Sequence, residues 1–225
     1  MHTRFCLEIR GDFACFTRPE MKVERVSYDI ITPSAVRAVF ESILWKPAIC
    51  WQPERIEVLA PIRWTTIRRN EVGSKLSAAN VKSAMQRGTD VVALYVEEDR
   101  QQRASLLLRD VRYRIAASFS LTGRAGAEEN TQKFAEMFVR RAERGQCINQ
   151  PYLGCREFSC DFRLVESGEA TATIPEELHG ERDLGWMLYD LDFSDATSPQ
   201  PRFFHAHMKD GIVKIPSWDS ADVRG

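Results

Sequence analysis

Apolar and polar positions alternate at the start of the chain. Phe5, Leu7 and Ile9 interleave with Cys6, Glu8 and Arg10, and the run to Phe16 predicts a strand. Gly11-Asp12 interrupts it, and a glycine there implies a bulge or the close approach of another backbone. After a polar loop containing Pro19, Thr32-Pro33-Ser34 offers an N-cap with proline in the first turn, and Val36, Val39, Phe40 and Ile43 follow at helical spacing. That helix should stop near Trp45, because Pro47 disfavours helical geometry at Lys46. Residues 49–62 then read as extended. The signal weakens over 63–104, where the pattern predicts a short helix over Ser77–Gln86 and a strand over Val91–Val96.

A long strand is expected over Ser105–Leu121, with Val111, Tyr113, Ile115, Ala117 and Phe119 on one face and Arg112 and Arg114 on the other. Asn130-Thr131 opens a second helix through Phe134, Met137, Phe138 and Ala142 to a stop at Gly145, and its polar face is arginine-rich. Cys160, Phe162 and Leu164 alternate in a further strand, which completes a β-α-β…β-α-β order. Three more strands are expected around Trp186–Phe193, Arg202–Met208 and Gly211–Pro216, the last two joined through a Lys209-Asp210-Gly211 turn. The expected class is α+β. A ferredoxin-like (RRM-like) N-terminal domain spans 1–165 with an insertion at about 63–104, and a small antiparallel β-sheet domain spans 166–225.

Composition narrows the class. With 44% hydrophobic and 28% charged residues, the 225-residue chain reads as folded rather than disordered. The net charge of −1 hides an asymmetry: residues 62–115 carry 11 Lys/Arg against 6 Asp/Glu, and residues 166–199 carry 9 acids against Arg182 alone. No stretch approaches a membrane span and the first six residues lack the apolar core of a signal peptide, so the cytoplasm is expected and no membrane partner. Of six cysteines only Cys155 and Cys160 sit close together, without further ligands, so free thiols are expected and no metal. Gly-rich phosphate loops, Ser-His-Asp spacing and metal-binding His-Glu patterns are absent from the sequence.

Several segments together resemble one family. They are Glu8 to Glu20, Val26 to Ala35, Trp45-Lys46-Pro47-Ala48-Ile49, Ile67-Arg68-Arg69-Asn70-Glu71, Gln101 to Val111, Arg144-Gly145-Gln146-Cys147 and Pro151 to Phe158. The chain is similar over nearly its whole length to the CRISPR-associated Cas family five, subtype I-C, of the repeat-associated superfamily built on ferredoxin-like modules. The resemblance implies a metal-independent endoribonuclease without a cofactor. It would bind the CRISPR repeat hairpin, cleave at its 3′ base, retain the 5′ end of the guide RNA, and assemble with the backbone and large subunits of the interference complex.

Cleavage without a metal uses the ribose 2′-OH as nucleophile, so a protein must take up its proton, steady the phosphate charge and protonate the leaving 5′ oxygen. The family places a tyrosine just before Trp-Lys-Pro and a Lys-His pair at the start of the second helix. Here those positions are Leu44 and Lys133-Phe134. Lys133 is the expected cation near a helix N-terminus, and Tyr28 is the candidate phenol. RNA contacts are expected from Lys46, Arg68, Arg69, Arg109, Arg112, Arg114, Arg140 and Arg141, charges that would also bind duplex DNA non-specifically. A non-catalytic RNA-holding subunit is the alternative. His205 and His207 share one face of an expected strand and read as surface residues, and His2 and His179 carry less signal still.

Overall fold

A computed structural model describes residues 4–21, 23–88, 91–166 and 168–225. Its elements in chain order are β1 (Phe5–Ala14), α1 (Pro33–Ile43), β2 (Ile49–Val58), β3 (Arg63–Val72), α2 (Ala78–Arg87), β4 (Arg100–Leu121), α3 (Thr131–Glu143), β5 (Asp161–Leu164), β6 (Glu181–Asp192), β7 (Gln200–Lys209), β8 (Ile212–Lys214) and β9 (Val223–Arg224). The protein is α+β with one mostly antiparallel sheet in the order β5-β1-β4-β2-β8-β7-β6. β3 pairs with the first half of β4, and β9 with β7.

The 22-residue β4 organises the sheet. Its second half lies between β1 and β2, and its first half runs out with β3 as a two-stranded ribbon, with α2 in the connection between the two strands. Alternation turns Leu7 and Ile9 of β1 and Tyr113, Ile115, Ala117 and Phe119 of β4 to one face. α1 closes that face with Val36, Val39, Phe40 and Ile43, and α3 does so with Phe134, Phe138 and Ala142. Phe5, Phe40 and Trp51 meet Phe138 at ring centroids of 4.9, 5.6 and 4.9 Å, so aromatic contacts weld both helices to the sheet.

Both helix starts match their sequence signals: Thr32 accepts from Ala35 N–H at 3.4 Å and Asn130 from Lys133 N–H at 2.9 Å. The close approach expected at Gly11 is real, since a Cβ there would lie 2.5 Å from Leu153 and 2.9 Å from the Ser159 carbonyl. Asp210 (φ 48°) and Gly211 (φ 72°) form the two-residue turn between β7 and β8. Two positive φ values match the strand twist there, which is why Asp-Gly suits the position.

Within 63–104 the short helix expected over Ser77–Gln86 forms as α2, capped by Ser77, but the expected strand does not. Val91–Val96 forms no strand, and Val91 is 88% exposed, because no neighbouring strand is available to pair with it. β3 arises instead from a sequence with apolar residues only at Trp64, Ile67 and Val72. Its regularity comes from continuous backbone pairing with β4, from Arg63↔Arg109 to Val72↔Arg100, rather than from burial. The last strands join the same sheet through β8, which pairs with β2 at Arg55↔Lys214 and Ile56↔Val213.

Candidate nucleic-acid interface

α1 ends abruptly. Leu44 leaves helical geometry while its N–H still reaches the Phe40 carbonyl at 3.0 Å, and its own carbonyl accepts from Trp51 Nε1 at 2.9 Å. Leu44 is thereby held in the core, and the next two side chains, Trp45 and Lys46, turn outward. Trp45 is 55% exposed, a large apolar area left in water. The segment 148–156 is stitched against this helix end by Ile148 N–H to the Ser42 carbonyl at 2.6 Å. It brings Tyr152, 39% exposed, and Arg156 to the other side of a groove that Trp45, Ser42 and Asn149 also line. Gly154 makes the turn possible. Its φ is +84°, and a Cβ there would lie 2.0 Å from the Cys15 carbonyl oxygen. Two exposed rings beside a guanidinium and a lysine form a stacking-plus-phosphate surface suited to single-stranded RNA.

The adjoining end of the sheet carries the second basic feature. Ile49 of β2 pairs with Leu121 of β4, and Thr122 then binds the Pro47 and Ala48 carbonyls at 2.6 and 2.9 Å. From there the chain passes exposed Arg124 and enters α3, whose first turn presents Lys133 to solvent while Phe134 packs into the core. A lysine beside the amide-rich start of a helix favours an anion. Neither Leu44 nor Phe134 offers a proton-transferring group.

The basic residues divide into two sets. Lys46, Arg68, Arg109 and Arg140 are exposed, with Arg109 3.5 Å from Asp110. The others pair within the chain, Arg112 while still half exposed. Arg141 Nη1 donates to the Ile43 carbonyl at 2.9 Å. Arg69 pairs with Glu157, which Arg25 also approaches at 3.6 Å, and the Arg69 hydrogen bond holds the Glu157 carboxyl below its ordinary range. Arg112, Arg114 and Arg163 converge on Glu8: Arg112 Nε donates at 2.8 Å, Arg163 Nη2 at 2.6 Å and Arg114 Nη2 at 3.4 Å. Arg114 also donates to Glu169 at 3.0 Å and to the Ala170 carbonyl at 3.1 Å. Burial pushes the Glu8 carboxyl upward, but the Arg112 hydrogen bond and the charges of Arg112 and Arg163 outweigh it and hold the group below its usual value. Arg114, expected at the RNA surface, is buried and structural.

Tyr28 is corrected likewise. It is 1% exposed with the Arg18 guanidinium 4.5 Å above its ring, and burial raises its hydroxyl above the usual range. A phenol so placed is a packing group and not a base at the surface. None of the six cysteines forms a disulfide; Cys160 is buried, and Cys155 contacts Arg25 at 3.3 Å. His2 lies outside the described residues.

Residues 5–216 match the profile of the family described as CRISPR-associated protein (Cas_Cas5). The chain belongs to this family. It is 49% identical over 227 residues to the CRISPR pre-crRNA endoribonuclease Cas5d of Mannheimia succiniciproducens, with 100% of each chain covered. It is 36% identical to the protein of the same name from Thermus thermophilus, covering 95% of this chain and 92% of that one. A crystal structure of a CRISPR-associated protein has the same fold, with a TM-score of 0.70 at 19% identity over 99% of this chain and 97% of its own.

Within this Cas5-family fold, the groove brings together Trp45, Tyr152 and Arg156, which lie in the segments that carried the resemblance but were not among the expected RNA contacts. An aromatic beside a lysine just after a helix end was the available signal. No helix among the described residues is long and apolar enough to cross a membrane.

Proposed function

We infer that this protein is a metal-independent endoribonuclease that processes precursor CRISPR RNA. The observation that carries this reading is its full-length similarity, at 49% identity, to a relative named for that activity. The repeat hairpin would lie across the end of the sheet with its unpaired nucleotides in the Trp45–Tyr152 groove, and Lys46, Arg124, Arg140 and Arg156 would neutralise phosphates. The 2′-OH at the 3′ base of the stem would attack the adjacent phosphorus, its proton would pass to a base, and the 5′ oxygen would leave with a proton. The products are a 2′,3′-cyclic phosphate and a 5′-hydroxyl. Lys133 is assigned the developing phosphate charge.

The same reading takes β1-α1-β2-β4-α3-β5, with the order β5-β1-β4-β2, as a ferredoxin-like unit over 1–165 with the β3–α2 ribbon as its insertion. Residues 166–225 form the smaller antiparallel unit. The bound partners would be the 5′ end of the guide RNA and the backbone and large subunits of the type I-C interference complex, with duplex DNA bound non-specifically through the same charges.

A second reading is favoured by one observation: Leu44 and Phe134 are both core residues, so neither a phenol nor an imidazole stands at those two positions. The protein would then hold guide RNA without cutting it. Incubation with a labelled repeat hairpin in EDTA separates the two. A single cut at the 3′ stem base with a cyclic-phosphate end is expected, and tight binding without product would establish the holding subunit instead. Trp45→Ala is expected to weaken hairpin binding by about 1–3 kcal/mol, the loss of one stacked base. Fluorescence anisotropy measures it, and an unchanged Kd would remove Trp45 from the interface.

A further inference from the structure

Asp183, His205 and His207 form a cluster on β6 and β7, and none of the three lines the groove. Their ligand atoms all lie within 4.8 Å of one another, and among the described residues it is the one place where three metal-ligating side chains converge. The strand period places His205 and His207 on one face of β7. Asp183 joins them through an irregularity in β6. His207 pairs with Asp183 but Ala206 with Gly185, so Leu184 is an extra residue that breaks the alternation. Gly185 takes φ +71° at this bulge, and Asp183 and Trp186, three residues apart, both face the histidines.

The ligands are also oriented from outside the set. Gly185 N–H donates to Asp183 Oδ1 at 2.8 Å, and that oxygen lies 3.6 Å from His205 Nε2. Trp186 sets its ring edge-on to His205 at 5.4 Å, which restricts the imidazole. His205 Nδ1 and His207 Nε2 lie 2.7 Å apart, so one nitrogen donates a proton to the other. Two imidazole nitrogens bound to one tetrahedral ion at 2.0–2.1 Å would be about 3.3 Å apart, so a small parting of the rings admits a cation in place of that proton.

The geometry points to a binding site for a divalent first-row transition ion of the zinc class, held by Asp183, His205 and His207 across β6 and β7. Two imidazoles and a carboxylate select borderline ions (Zn²⁺, Co²⁺, Ni²⁺, Cu²⁺) over Mg²⁺ or Ca²⁺, which prefer all-oxygen shells. Water completes the shell, since all three ligands are solvent-exposed. The histidines line a cleft of about 940 Å³ with Trp186, Lys214 and Arg224, so the ion would sit at its rim. β7 and β6 are separated from β2 and β4 by β8, which sets the ion apart from Lys133. It ties two strands together and takes no part in RNA cleavage.

The test uses the full chain, stripped with EDTA and desalted, and titrated with Zn²⁺ by calorimetry and with Co²⁺ by absorption. One ion per chain is expected, with visible ligand-field bands and no near-ultraviolet thiolate-to-cobalt band. His205→Ala and His207→Ala should each weaken binding by at least about tenfold. His207→Gln serves if an alanine variant does not give the wild-type circular dichroism spectrum. Absence of saturable binding up to millimolar metal, affinity unchanged in both histidine variants, or a thiolate band in place of ligand-field bands alone would each overturn the site.

Discussion

Lys133→Ala is expected to lower the single-turnover cleavage rate of the repeat hairpin by about 10²–10³-fold while changing its Kd far less, because a cation aimed at the reacting phosphate acts mainly on the transition state. The substitution should leave the fold intact. The Asn130 cap uses the Lys133 backbone N–H at 2.9 Å rather than its side chain, and that side chain is exposed on the first turn of α3. Lys133→Arg keeps a charge there and should recover part of the rate. Rapid-quench measurement with saturating protein separates chemistry from binding, and equal rates for wild type and Lys133→Ala would take this residue out of the mechanism. A fall in rate matched by an equal fall in affinity would make it a phosphate contact only.

Glu8→Gln should destabilise the fold by about 3–5 kcal/mol, because it removes the negative partner from the buried Arg114 and from Arg112 and Arg163 together. The remaining Glu169 cannot compensate fully, since it lies at the exposed edge of the cluster. The same network makes the protein acid-sensitive. Glu8 is held below its ordinary 4.5, and the Arg163 hydrogen bond holds Glu169 at about 2. Carboxyl groups depressed in the folded state contribute stability that is fully present above 4.5 and is lost as the pH falls toward 2. Urea midpoints recorded across that window should drop steeply for wild type and less steeply for Glu8→Gln. A variant as stable as wild type at pH 7 would mean that Glu169 and the Ala170 carbonyl satisfy Arg114 without Glu8.

Much of this architecture is legible locally. α1 and α3 declare themselves through Thr32-Pro33 and Asn130-Thr131 caps and through apolar residues at helical spacing, signals that lie within a few residues of one another. β4 is readable from 111 onward because burial of one face enforces a period of two. β2 is harder. Trp51 and Ile56 both point inward despite opposite parity, and the register shift between Pro53 and Arg55 reconciles them. β3 escapes because a ribbon held by backbone pairing needs no alternating apolar face, and its Trp64, Ile67 and Val72 follow no period of two.

The site follows the same division. The sequence by itself determined the family, the order of the main elements outside 63–104 and a supply of basic residues, since each rests on local motifs or on composition. Tertiary structure decided which charges remain available. Glu8 and Arg114 are more than 100 positions apart, and only their pairing across β1 and β4 turns an expected RNA contact into a buried structural ion. Trp45 and Tyr152 likewise share a groove only because Ile148 bonds to the end of α1, and Asp183 reaches His205 and His207 only through the bulge at Leu184. Periodicity reports which face of an element is buried, whereas the partner of a polar side chain depends on strand register and chain crossings that no local pattern encodes.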